Sequence, residues 1–326
     1  MGSARFSLVL LVSYVLLVAT NTGAAGLYPT FYSQTCPSVA TVVKQEVAKI
    51  LGKDRNLAGA FVRLQFHDCW VNGCDGSVLL ASTAGNSAEV DANTNFRIRG
   101  QSQINKIKAA VEAKCPQTVS CADIIALAAR EAVVQTGGKT WSVPLGRRDS
   151  RVSVARDADA NLPFPVLSFD GLVQNFAKKG FNAREMVVLS GSHTIGRTHC
   201  NGVAPNLYNF TGKDSLTDTN PNLDVSFANG LKKRCPKGNR VNLVAMDKTK
   251  NKFDQGYYKQ VLAHKGVFIT DDALITTAAG LSAVQEFAKP GSSFFTEFAA
   301  AMQKMSKLSP LTGTDGEIRK KCQFVN

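Results

Sequence analysis

The chain has 326 residues, 44% of them hydrophobic and 19% charged, and a formal charge of +13. No Gly/Ser linker, low-complexity tract or repeat of about 20 to 50 residues interrupts it, which excludes a solenoid or a string of modules and leaves one globular unit. The basic balance would suit polyanions, but an export signal at the N-terminus argues against nucleic acid as the partner.

Residues 1–25 hold Arg5, an apolar run from Phe6 to Ala19, and small residues ending at Ala24 and Ala25, the pattern of a signal peptide. The run is short for a membrane span and no later one follows, so residues 26–326 are expected as a soluble, secreted product without a membrane partner. Arg5 accounts for one unit of the charge and leaves +12 on that product. Its eight cysteines, an even number after an export signal, imply an oxidised framework with 105 possible pairings.

Val39, Val43, Val47, Ile50 and Leu51 keep helical spacing until Gly52. Leu57, Phe61 and Leu64 open a second amphipathic helix that should end near Asp68 and Cys69. On it, Arg63 and His67 are four apart and share a face. A permanent cation beside an imidazole disfavours the imidazolium and keeps the ring available as a base. The same spacing is also met as a surface arginine beside a core histidine. Past the helix, Asp68, Asp75 and Ser77, with Gly73 and Gly76 freeing the backbone, make an oxygen-rich loop suited to a hard cation such as calcium. The loop lacks the EF-hand register, and Cys69 and Cys74 bracket the turn closely enough to close a small disulfide ring.

Ser120 and Asp123 read as a capping box ahead of CADIIALAAREAVVQ, a helix apolar almost all round and therefore buried, ended by Gly137 and Gly138. Asn182 and Glu185 suggest another capped start, with His193 near that helix's end, where an isolated histidine serves as a cap or core residue. Asn209-Phe210-Thr211 is the one N-glycosylation sequon and would place Asn209 on a surface loop. From Lys232 to Lys265, ten Lys or Arg face only Asp247 and Asp254, which suits wall polyanions, anionic substrates, or a solvated basic surface that touches nothing. Phe294, Phe298, Met302 and Met305 mark a late core helix, and strand signals are few and short.

The run R-x-x-F-H-D-C-x-V-N-G-C-D-G-S from Arg63 to Ser77 resembles the distal helix of the secreted plant haem peroxidases of class III, and L-S-G-S-H-T-I-G from Leu189 to Gly196 resembles their proximal motif. The resemblance implies a mostly α fold of two helical halves sandwiching one haem b, acting on hydrogen peroxide and small phenolic electron donors. His67 would be the acid/base, Arg63 the charge stabiliser, Phe66 the residue standing over the haem, and His193 the axial ligand of the iron. Asp271 would hydrogen-bond His193, with Asp272 as competitor or either serving as a helix N-terminal carboxylate. The Asn that fixes the His67 tautomer is Asn95 when counted six residues from Glu89, whereas counting back from Arg99 favours a neighbour; Asn93 is the other asparagine there. Pro163 matches a substrate-contacting proline, or stiffens its loop.

The same resemblance pairs Cys36 with Cys115, Cys69 with Cys74, Cys121 with Cys322, and Cys200 with Cys235. It also implies two calcium ions. Asp68, Val71, Gly73, Asp75 and Ser77 would hold the distal one; Thr194, Asp247, Thr249, Lys252 through its backbone oxygen, and Asp254 the proximal one. The proximal loop is one residue shorter than the family commonly has, so Thr249 fits when counted from Asp254 and is displaced when counted from Asp247. Gln101 replaces an aromatic residue, and Trp70 stands where Phe is commoner. The end at Asn326, without a tail after Cys322, favours export to the wall or apoplast, and a monomer is expected. Two other classes compete: a cationic binding protein that kept the scaffold without redox work, and a zinc hydrolase drawing on His67, His193, His199 and His264. Arg63, His67 and His193 are all kept, against the first; no H-E-x-x-H occurs, against the second.

Overall fold

Val39, Val43, Val47 and Leu51 form the buried stripe of α1 (Val39–Lys53), which runs one residue past Gly52 and is capped by the Asp54 backbone. The computed structural model describes residues 26–326, and the expected signal peptide over 1–25 lies outside the described residues. Three more helices complete the first half: α2 (Leu57–Trp70), α3 (Gln101–Glu112) and α4 (Cys121–Gln135). The other three all pack against α4, and only its Arg130, Val134 and Gln135 escape full burial. A helix enclosed this way must be apolar almost all round, as its sequence is, and its buried Asp123 and Glu131 need partners.

The second half comprises α5 (Ala155–Asn161), α6 (Phe169–Ala177), α7 (Ala183–Ser190), β1 (Arg197–His199), α8 (Cys200–Tyr208), α9 (Val225–Arg234), β2 (Leu243–Ala245), α10 (Gly256–Leu262), α11 (Ile269–Ala273), α12 (Ala278–Phe287) and α13 (Phe294–Met305). Helix α7 packs on α6, α12 and α13, and Phe253, Tyr258, Phe287, Phe294 and Phe298 pack together there, Phe253 stacked on Phe294 and the other pairs edge-on or tilted. The two short strands pair antiparallel, Arg197 opposite Ala245. One hydrophobic cluster runs from Tyr32 to Cys322 through both halves; a smaller one gathers Val203, Leu207, Leu231, Val244 and Val267 around the Cys200–Cys235 bridge. All four disulfides form in the pairing the family resemblance implies.

Two close approaches fix how the halves meet. A Cβ on Gly59 of α2 would lie 2.8 Å from the Gly196 Cα, so α2 rests directly on the backbone just past His193. Gly73 has φ +123°, and a Cβ there would lie 2.2 Å from the Ser309 carbonyl oxygen, so the loop after α2 is pressed against the C-terminal segment. Buried Arg319 adds to that clamp by donating to the Gly76 carbonyl at 2.6 Å and the Cys322 carbonyl at 2.7 Å.

The expected capping box at α4 is only half present. Ser120 Oγ accepts from the Asp123 backbone N–H, but the Asp123 carboxylate turns inward instead of back to the cap. It accepts from the Tyr32 hydroxyl at 2.8 Å, the Gly146 N–H at 2.7 Å and Arg147 Nη1 at 2.5 Å. Asp123 and Arg147 are both fully buried, so removing one charge strands the other. Asp123→Asn should therefore destabilise the disulfide-intact protein by about 3–5 kcal/mol in denaturant unfolding. A loss below about 1 kcal/mol would mean that the pair is dispensable.

Candidate active site

Residues 63 and 67 do share a face of α2, and Arg63 Nε lies 3.1 Å from His67 Nε2. Because arginine can only donate, this contact makes Nε2 an acceptor and puts the ring proton on Nδ1. There it meets Asn95 Oδ1 in a short hydrogen bond. The Asn95 amide is itself aimed by donating to the Glu89 carbonyl at 2.6 Å. Asn93 turns outward to Asp159, which separates the two candidate asparagines. Burial, then the Arg63 charge, hold His67 well below the usual imidazole range, against a smaller upward pull from Asn95. Burial brings Arg63 down to about 10, still a cation near neutral pH, and its Nη2 is anchored on the Thr94 carbonyl at 3.1 Å. Phe66 lies edge-on to His67 and 4.6 Å from Trp70, whose indole donates to Asn175 Oδ1 at 2.8 Å.

His193 lies in a 3-10 turn, Gly191–Thr194, that continues from the end of α7. The start of α7 is fixed by a full capping box, Asn182 with Glu185. His193 Nδ1 is 2.8 Å from Asp271 Oδ1. The same carboxylate takes the Tyr257 hydroxyl at 2.9 Å and the backbone N–H groups of Val267 and Phe268 at 2.9 and 2.8 Å. Asp272 pairs instead with His264 at 3.2 Å. The His193 ring stands edge-on to Tyr257 and Phe268, keeps about a third of its side chain exposed (35%), and its Nε2 has no hydrogen bond among the described residues. An imidazole oriented by a carboxylate, with Nε2 open, has the chemistry of a residue that could hold haem iron. The loop carrying Pro163 approaches α11 through the Thr270 N–H to Pro165 carbonyl bond, with Phe164 and Val166 exposed beside it.

Two groups of oxygens follow the two histidines. After His67, Asp68 Oδ1 and Ser77 Oγ are buried without a partner, as are both carboxylate oxygens of Glu89. Burial and then the Asp75 charge push Asp68 well above the usual range; burial likewise raises Asp75, and brings Glu89 up to about 8. The Val71 carbonyl accepts from Lys179 Nζ at 3.0 Å and keeps a second lone pair. Gly73 brings its backbone into the same loop. Glu89, in the sequence only a count toward Asn95, is buried beside Ser77 and Asp75, and its loop has no periodicity that signals this burial.

After His193, Thr194 Oγ1 lies 2.9 Å from Asp247 Oδ2 and 3.3 Å from Asp254 Oδ1. Thr249 Oγ1 lies 3.1 Å from Asp254 Oδ1, so the shortened loop still brings all four side chains to one point. Lys252 stands in the same turn, its N–H bonded to the Thr249 carbonyl at 2.6 Å. Burial, with the Asp254 charge adding to it, raises Asp247 to about 6. Among the described residues no three His, Cys, Asp or Glu side chains form a metal-holding group, so a cation in either place must be completed by hydroxyl and carbonyl oxygens. That donor set fits calcium and not zinc. His199 bonds the Val241 carbonyl and His264 bonds Asp272, so the four histidines do not converge. Asn209 is exposed just past α8, its side chain accepting from the Asp214 N–H at 3.0 Å.

The peroxidase family profile matches residues 43–290. The chain is 46% identical over 330 residues to Peroxidase 1 of Oryza sativa subsp. japonica, covering 100% of each chain. It is 44% identical over 324 residues to Peroxidase 3 of Arabidopsis thaliana, covering 98% of each, and 42% identical over 327 residues to Peroxidase 39 of the same plant, covering 99% of each.

Unpartnered buried oxygens lose free energy that a bound cation returns. Calcium at a hundredfold excess over its dissociation constant should stabilise the chelator-treated protein by about 2.7 kcal/mol per site, read as a rise in Tm. Ser77→Ala should weaken that response, and an unchanged Tm on adding calcium would remove the cation reading.

Proposed function

The chain belongs to the class III plant peroxidase family and is a peroxidase, and from that premise we propose a secreted enzyme that reduces hydrogen peroxide to water while oxidising phenolic donors one electron at a time. The observation that carries this reading is the locked tautomer of His67: Nδ1 is committed to Asn95, and Nε2 is left as the acceptor beside Arg63.

The family implies haem, and His193 would hold it through Nε2, with Asp271 keeping the proton on Nδ1. Haem, when bound, supplies the redox centre that takes two oxidising equivalents from peroxide and returns them singly. His67 Nε2 takes the proton from one peroxide oxygen and passes it to the other, which leaves as water. Arg63 donates to the charge that develops as the O–O bond breaks, a service of about 3 to 4 kcal/mol for one preorganised donor. Phe66 restricts what can approach from the same side, and Pro163, beside exposed Phe164 and Val166, offers an apolar rest for a phenol ring.

Support for secretion comes from the signal-peptide pattern over residues 1–25 and the four disulfides. Among the described residues no helix is long and apolar enough to cross a membrane. The distal calcium would take Asp68, Val71, Gly73, Asp75 and Ser77; the proximal one Thr194, Asp247, Thr249, Lys252 and Asp254. Wall polyanions are the proposed partner of the basic 232–265 region, where Arg234, Lys248, Lys250 and Lys265 line one cavity of about 380 Å³ with Asp247 the single carboxylate.

Only neutral His67 can act as the base, and its folded pKa lies below the ordinary value of 6.5. The rate of reaction with peroxide should therefore stay level as pH falls through 6.5 and drop only in more acid solution, where His67 protonates. His67→Ala should cost about 10²- to 10⁴-fold in that rate, followed by stopped-flow absorbance. Arg63→Leu should lower the rate by about 10²- to 10³-fold and move the acid limb upward, because the repelling charge is gone. An unchanged rate in His67→Ala would sink the acid/base assignment.

A further inference from the structure

We propose that Tyr257 is a positioning residue that sets how strongly Asp271 draws on His193, and through His193 the reduction potential of the haem it would hold; this deepens the peroxidase reading and rests on it. The two oxygens of the Asp271 carboxylate have different tasks. Oδ2 accepts the Val267 and Phe268 N–H groups at 2.9 and 2.8 Å, which fixes the carboxylate on its own loop. Oδ1 is shared: it meets His193 Nδ1 at 2.8 Å and accepts the Tyr257 hydroxyl at 2.9 Å.

Sharing that oxygen acts in one direction. Two donors that converge on a single carboxylate oxygen draw on the same negative charge, so each weakens the hold on the other. The Tyr257 hydroxyl therefore moderates the pull of Asp271 on the His193 proton. Nε2 is left a weaker donor to a metal than an undivided carboxylate would make it, which favours the reduced metal. Without the phenol the carboxylate would keep its place, because Oδ2 and its two N–H groups do not depend on Tyr257.

The phenol is held in place and held as a donor. Tyr257 is buried in the first turn of α10, whose start is fixed by the Gly256 N–H donating to Asp254 Oδ1 at 2.7 Å, and α10 packs on the turn that carries His193. Its ring centre lies 5.6 Å from that of His193, edge-on. A Cβ on Gly266 would lie 2.7 Å from the Asp271 Cβ, so the aspartate is pressed against its own loop from the other side. Burial, and then the Asp271 charge, push the Tyr257 hydroxyl well above the usual phenol range, so it stays protonated and donating near neutral pH. Tyr258, the next residue, is equally buried but spends its hydroxyl on the Val187 and Val188 carbonyls at 3.0 and 3.2 Å. It supplies the control.

The midpoint potential of the ferric/ferrous couple and the ferrous iron–histidine stretching band are measured on the haem-loaded protein without peroxide, in wild type, Tyr257→Phe and Tyr258→Phe. Removing the Tyr257 hydroxyl while keeping its ring should move the ferric-to-ferrous ratio at a fixed potential toward ferric by about three- to tenfold, a fall of about 30 to 60 mV for a one-electron couple. The stretching band should move to higher frequency, and Tyr258→Phe should leave both readings unchanged. An unchanged or raised potential in Tyr257→Phe overturns the proposal. So does an equal fall in Tyr258→Phe, because loosened packing and not the shared oxygen would then move the potential. If wild type shows no iron–histidine band, the ligand assignment falls and the proposal with it. If peroxide drives no turnover of a phenol in wild type, the peroxidase reading fails, while the potential and the band still decide the role of Tyr257.

Discussion

His67 and His193 each have one ring nitrogen committed to a protein acceptor, and the chemistry of the other nitrogen depends on that commitment. The acceptors differ in charge. Asn95 takes the His67 proton with a neutral amide, so nothing pulls that ring toward the imidazolium beyond one hydrogen bond, and burial with Arg63 wins. Asp271 takes the His193 proton with a carboxylate that three further donors hold in place, which makes the opposite nitrogen more electron-rich. One ring is thereby suited to exchanging a proton, and the other to offering Nε2 as a ligand.

The oxygen-rich loops sit one peptide bond from these rings, Asp68 after His67 and Thr194 after His193. Buried carboxylates oppose the fold even with the Arg319 charge nearby, and the four unpartnered oxygens of Asp68, Ser77 and Glu89 concentrate that opposition beside the base. A cation there would offset it and at the same time fix the backbone from which His67 projects. Stability and catalytic geometry are thus coupled through a single residue-to-residue link on each side.

Local patterns were legible in the sequence, and long-range choices were not. Arg63 and His67 could be placed on one face because helical spacing fixes it, and Asn182 with Glu185 could be read as a capping box because the motif is closed within four residues. Ser120 and Asp123 looked the same, yet Tyr32 and Arg147, distant in the chain, claim the carboxylate. Asn93 and Asn95 lie in a loop without periodicity, and Asp271 and Asp272 are adjacent, so only tertiary contacts separate them.

The clamp of the C-terminal segment on the loop after α2 sets an order of events during synthesis. Gly73 rests on Ser309, Gly76 is held by Arg319, and Cys121 waits for Cys322. A ribosome that has made both histidines and every side chain of the distal loop has still not made the surface that encloses it. Until residues 309–322 emerge, nothing presses on the loop after α2, and the desolvation of Asp68 and Asp75 is deferred to a late step of folding. A nascent chain therefore carries the parts of the site long before it can hold them in register.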